Sequence, residues 1–223
     1  IALNPPVGGL NPSAVQAALA SGVDIVYLPT YSAAHHIAIL GKDVTPVPHP
    51  ESGVVELRVT DDSGRVLPEV QSVVQMVAAH DAVLATGHVS PAESHAVIKY
   101  GRAVGVRRMV VTHASLSVPA MSVDEQREAV ELGALIEHCF LAVTECCPGT
   151  ISMDDLRHQI CAIGPENVIL SSDFGQPKNG PPIEAFGQHI VRLRDLGFDH
   201  RTLRTMLCDN PRRLMEKRTG GCS

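Results

Sequence analysis

From residue 81 onward, short apolar runs rich in β-branched residues alternate with amphipathic stretches, and this alternation constrains the fold more than any other feature of the chain. A strand reaches a parallel neighbour only through a long crossover, usually a helix, so regular alternation implies a parallel α/β architecture. The strand-like runs are AVLATGH (82–88), RRMVVTH (107–113), ALIEHCF (134–140) and NVILSSD (167–173). Ser90 with Glu93, Ser122 with Glu125 and Ser152 with Asp155 have the spacing of capping boxes and predict a helix after each of the first three. Upstream, Asn11 caps a predicted helix over NPSAVQAALASG, and DIVYLPT (24–30) reads as another buried parallel strand. A last helix over DHRTLRTML is expected to stop at Asn210 and Pro211.

Between residues 43 and 67 the pattern breaks. Pro46, Pro48 and Pro50 precede two alternating runs joined by Asp62, Ser63 and Gly64, which predicts a β-hairpin insertion lying over an active-site mouth or forming a subunit contact. The helix PEVQSVVQMVAAH follows. With 44% hydrophobic residues in 223, the chain carries enough apolar material for a single domain over 1–223. IALN before Pro5 and Pro6 reads as the tail of a strand leaving a core, so the natural beginning of the chain is expected to lie upstream of Ile1.

Three strand-like runs end in a residue that binds metals: His88, His113 and Asp173. In a parallel barrel the C-terminal ends of all strands open on one face, where such side chains converge. Two imidazoles and a carboxylate can hold zinc or manganese and leave positions open for water or substrate. His138 lies near the end of its strand beside Glu137, and alternation turns only one of the two inward. We take His138 as the catalytic candidate, with the same role open to Glu137. His35 and His36 are candidates to line the pocket. His80, His95, His158, His189 and His200 fall on predicted helices or their ends, where solvated or capping roles fit. Gln176 and Lys178, in GQPKNGPP, are candidate contacts to an anionic group.

Composition excludes several classes. A formal charge of −6 with interspersed signs leaves no basic stripe for a nucleic acid. The chain has no apolar run of membrane-spanning length and opens without the features of a secretion signal, so a cytoplasmic, non-membrane protein is expected. Six cysteines without a C-x-x-C pair are expected to be reduced thiols.

The segment ILSSDFG, the closing DHRTLRTMLCDNPRRLM and the order His88, His113, Asp173 resemble the end of the amidohydrolase superfamily, in which such ligands follow the fifth, sixth and eighth strands. LNPPVGGLNPSAVQAALASG, VYLPT, ATGHVSPAE and VTHAS are similar to an uncharacterised bacterial family of metal-dependent hydrolases within it. The resemblance covers nearly the whole chain. It implies a TIM-type (β/α)8 barrel, incomplete at the N-terminus, in which a divalent metal, zinc or manganese, activates water against an amide, lactone or ester of a small molecule. Asp173 would then serve as both ligand and general base. The superfamily's first-strand His-x-His pair, and the bridging Lys that many members carry at a strand end, do not occur in this sequence, and the first two strands are expected to lie before Ile1. A metal-dependent phosphoesterase and a non-catalytic binding barrel are the alternatives. A barrel open along two edges is also expected to associate with copies of itself.

Overall fold

The computed structural model describes residues 1–41, 55–145, 150–175 and 177–217. They divide into two compact units, one of Ile1–Val110 with the segment from Leu214, the other of Val111–Arg213. No described helix is long and apolar enough to cross a membrane.

The first unit alternates strand and helix as the sequence implies. Helix α1 (Pro12–Ala20) starts where the Asn11 side chain accepts hydrogen bonds from the Ser13 and Ala14 amides, with Pro12 at its first position. Strands β1 (Ile25–Tyr27), β2 (Val83–Ala85) and β3 (Arg108–Val111) pair in parallel, Tyr27 opposite Ala85 and Ala85 opposite Val110. The IALN segment extends this pairing: Ala2 forms a parallel bridge with Tyr27, and Leu3 is fully buried. Helix α2 (Ala34–Leu40) follows β1, and helix α3 (Pro68–Ala79) precedes β2. The apolar stripe of α3 is Val70, Val73, Val74 and Val77, all 0% exposed. At roughly 1.5–3 kcal/mol gross for each buried valine, this face anchors the helix. Helix α4 (Pro91–Ala103) has the complete Ser90–Glu93 capping box, and Glu93 also accepts the Val59 amide at 3.1 Å.

Of the expected hairpin insertion, residues 42–54 lie outside the described residues. Residues 55–67 form a turn closed by a single antiparallel bridge, Thr60 to Val66, instead of two strands. The Asp61 carboxylate accepts hydrogen bonds from the Ser63 amide and hydroxyl and the Arg65 amide, which fixes the turn and holds this carboxyl below its ordinary range. The returning arm cannot lengthen into a strand because α3 begins at Pro68.

In the second unit, α5 (Val123–Glu131) and α6 (Met153–Ile163) begin at the Ser122–Glu125 and Ser152–Asp155 capping boxes. Strands β4 (Ala134–Cys139) and β5 (Val168–Ser171) pair in parallel, His138 opposite Leu170. Helix α7 (Pro182–Asp195) leads to α8 (His200–Arg204). Pro211 does not end the helical run as expected. A π-helical turn over Thr205–Asp209 carries the chain into α9 (Asn210–Met215). Proline at i removes a donor and crowds the carbonyl at i−4, and the wider turn accommodates both. The buried Asn210 side chain donates to the Pro165 carbonyl at 2.9 Å and the Val168 carbonyl at 2.6 Å, tying this run to the start of β5.

Candidate functional site

In the first unit, His88 stands three residues beyond the end of β2. Gly87 precedes it with a φ of 62°, and a Cβ there would lie 2.5 Å from the Leu28 carbonyl oxygen and 2.6 Å from that of Pro29. Only glycine permits this approach, which lets the His88 amide donate to the Pro29 carbonyl at 2.9 Å. The His88 ring stacks on that of His36, a buried residue of α2, with ring centres 4.8 Å apart and the two Nδ1 atoms 2.8 Å apart. One ring therefore carries its proton on Nδ1 and the other presents a lone pair there. His35 lines a separate cavity of about 390 Å³ with Arg58, Thr60, Asp61 and Glu93. Asn4, which carries no motif in the sequence, is buried and holds the loop after β1. Its Oδ1 accepts from the Ser32 hydroxyl at 2.6 Å and the Thr30 amide at 3.0 Å, and its Nδ2 donates to the Thr30 hydroxyl at 2.8 Å.

In the second unit, His113 and Asp173 each stand two residues beyond a strand, after β3 and β5. Both adopt the left-handed backbone conformation, with φ values of 32° and 55°. Non-glycine residues in this region cost of order 1–3 kcal/mol, persist only where surrounding contacts hold them, and cluster at functional sites. At His113 the holding contact is Glu137, on β4. The Glu137 carboxylate accepts the His113 amide at 3.1 Å, and the Glu137 carbonyl accepts the Ala114 amide at 2.8 Å. Two successive amides thus converge on one residue.

The same three residues interact electrostatically. Burial pushes the His113 imidazole below its ordinary pKa, and the Asp173 carboxylate opposes this. Asp173 reaches solvent, yet the protein packed around its carboxylate raises it above the ordinary range; His113 opposes the rise and Glu137 reinforces it. Burial therefore favours the neutral imidazole at His113, and the raised Asp173 carboxyl holds a proton more readily than an ordinary carboxylate.

His138 occupies the other face of β4, because successive residues of a strand point oppositely. It is 0% exposed, its Nδ1 lies 2.8 Å from the Ser115 hydroxyl, and burial pushes its pKa down to about 4. Its Nε2 has no hydrogen-bond partner among the described residues. Alternation alone left Glu137 and His138 equivalent, and the contacts put Glu137 with His113 and Asp173. Cys139, on the Glu137 face, is a buried free thiol raised well above its ordinary range by burial and by the Asp173 and Glu137 carboxylates.

Of the remaining candidates, Lys178 lies in a short helical turn over Pro177–Asn179, while Gln176 lies outside the described residues. His189, expected to be solvated, is buried on α7. It donates from Nδ1 to the Ala185 carbonyl at 2.7 Å and stacks on Phe140. Nothing in its helical spacing distinguished it from the exposed histidines.

Imidazole and carboxylate are donor types that zinc or manganese takes. The described residues contain no group of three or more His, Cys, Asp or Glu that could hold a metal ion. The donor chemistry therefore fits a divalent ion, and the number of donors gathered here falls short of a ligand set.

No curated protein matches the chain by sequence. Among solved structures, an engineered organophosphate hydrolase built on a weak promiscuous lactonase is similar at a TM-score of 0.62 and 13% identity, over 92% of this chain and 64% of the other. A dipeptidase described as a metallopeptidase aligns at 0.61 and 14% identity, over 93% and 62%. An amidohydrolase from Pseudomonas aeruginosa aligns at 0.61 and 13% identity, over 92% and 67%. The chain spans less than two thirds of the length of the first two. At these identities the likeness shows the fold alone, an α/β fold built on a parallel sheet. A family model matches residues 1–137, more than half of the sequence, and the chain belongs to that family, a family of unknown function (DUF6282).

Proposed function

We propose that this protein is a metal-dependent hydrolase of the amidohydrolase type, acting on an amide, lactone or ester bond of a small molecule. The observation that carries this reading is the pairing of His113 and Asp173. Both stand two residues past a strand, both are held in left-handed backbone, and each shifts the other's protonation, with Glu137 at the same place. A structural loop has no need of an imidazole and a carboxylate that sit on strained backbone and shift each other's protonation.

We assign His113 and Asp173 as metal ligands on this geometry, and His88 on its equivalent place after β2. We further propose that ligands outside the described residues complete the set and that the strands close into an eight-stranded barrel. A zinc or manganese ion, when bound, supplies a Lewis acid and an acidified water. Asp173, raised above the ordinary carboxylate range, is suited to take a proton from the attacking water and return it to the leaving group. His113, kept neutral by burial, offers a lone pair at neutral pH. Glu137 positions the His113 loop through the paired amides. We place this activity in the cytoplasm, consistent with the free thiols of Cys139, Cys161 and Cys208.

The test is the metal content of the purified protein together with hydrolysis of a panel of lactones, amides, carboxylic esters and phosphotriesters. The expected result is near-stoichiometric zinc or manganese and turnover of one of the first three classes. His113→Ala and Asp173→Ala should each lose metal, and activity should fall by roughly 100-fold or more. Full activity in a metal-free preparation would overturn the reading, and turnover confined to phosphotriesters would overturn the choice of bond.

A further inference from the structure

Directly after Asp173 the chain enters a cavity of about 370 Å³ contained in the second unit, within the size range of small-molecule sites. Its buried wall is aromatic: Phe174 and His189 have ring centres 5.6 Å apart, and His189 stacks on Phe140 behind it. Because the His189 Nδ1 proton is used on the Ala185 carbonyl, a neutral ring has only Nε2 as an acceptor. The lining also includes one ammonium, Lys178, one carboxylate, Glu145, and the amide side chains of Asn179 and Gln188. An aromatic wall of two rings inclined at 56°, with one charge of each sign among the described lining residues, is complementary to a molecule that carries one carboxylate, one ammonium and a small apolar group. A simple anion would meet Glu145 as a repulsive neighbour, and a simple cation would meet Lys178.

We propose that this cavity binds a free amino acid or the amino-acid end of a small zwitterionic molecule. Lys178 takes the carboxylate, Glu145 the ammonium, and the Phe174 and His189 rings the apolar side chain. Only the use of this cavity as a substrate subsite beside Asp173 rests on the hydrolase reading. The binding itself needs neither metal nor catalysis.

The experiment is a titration of the chelator-treated full chain with L-leucine, N-acetyl-L-leucine and L-leucine methyl ester, followed by NMR and calorimetry. Leucine should bind about tenfold or more tightly than either derivative, since each derivative has lost one charged contact. Lys178→Met should remove the preference for leucine over the ester and leave its preference over the acetyl derivative. Glu145→Gln should do the reverse. Both side chains are exposed, so neither change threatens folding. Failure of leucine to bind, equal binding of all three probes, or preferences unchanged in both variants would overturn the proposal. Metal content is measured separately, so a metal-free protein that still selects leucine would sink the hydrolase reading and leave this one standing.

Discussion

Replacing Gly87 by alanine tests how tightly the His88 loop is built. The residue has a φ of 62°, and for alanine the left-handed conformation costs roughly 1–2 kcal/mol. The smaller entropy of the unfolded alanine chain offsets about 0.5 kcal/mol of that. The added Cβ would stand 2.5 Å and 2.6 Å from two backbone carbonyl oxygens, and neither can rotate away as a side chain could. The Pro29 oxygen accepts the His88 amide, and Leu28 donates to the Ala85 carbonyl at 2.9 Å, so relief of the clash disturbs the edge of the β1–β2 pairing. Losing about one hydrogen bond and repacking the loop adds about 2–4 kcal/mol. The expected total is about 3–5 kcal/mol, read as the shift in urea unfolding monitored by circular dichroism. Gly105→Ala is the control, because its φ of 92° imposes similar strain while nothing lies within 4 Å of the new Cβ. That variant should lose only about 1 kcal/mol. With a urea dependence of about 2 kcal/mol per M, the two midpoints should differ by about 1–2 M. Equal midpoints would refute the reasoning, since they would show that the carbonyls yield freely and that conformational strain is the whole cost.

Two further predictions follow from buried polar groups. His138, pushed down to about 4 by burial, lies below the 6.5 of an unperturbed histidine, so between these values the unfolded chain binds the extra proton and stability falls as the pH is lowered. His138→Gln should abolish that part of the pH dependence, about 2 kcal/mol between pH 8 and pH 5 in urea unfolding; an unchanged slope would mean His138 titrates normally in the folded protein. Asn210→Ala leaves the Pro165 and Val168 carbonyls without their shared donor, and thermal unfolding should report a loss of about 2–4 kcal/mol, against under 1 kcal/mol if water replaces the amide.

The sequence by itself determined the local structure, because caps, helix starts and strand runs depend on neighbours a few residues apart. Ser90, Ser122 and Ser152 bond to the acidic residue three positions on, and Asn11 to the next two amides, as their spacing alone requires. The same local periodicity put His88, His113 and Asp173 just beyond strand ends. It did not foresee the π-helical turn before Pro211, because a proline has two exits from a helix and tertiary contacts select between them: Met206 is fully buried and Asn210 is bonded across to the start of β5.

Only the tertiary structure decided what those residues touch. Glu137 and His138 are adjacent, yet the Glu137 carboxylate reaches a backbone amide 24 residues away and the His138 ring reaches a serine hydroxyl 23 residues away. The His36–His88 contact spans 52 residues, and the rings packed on His189 of α7 come from the turn just after β4 and the loop after β5. Such pairings carry no sequence period. They arise when strands bring distant loops together, and that is also where His113 and Asp173 acquire their strained backbone and mutual shifts.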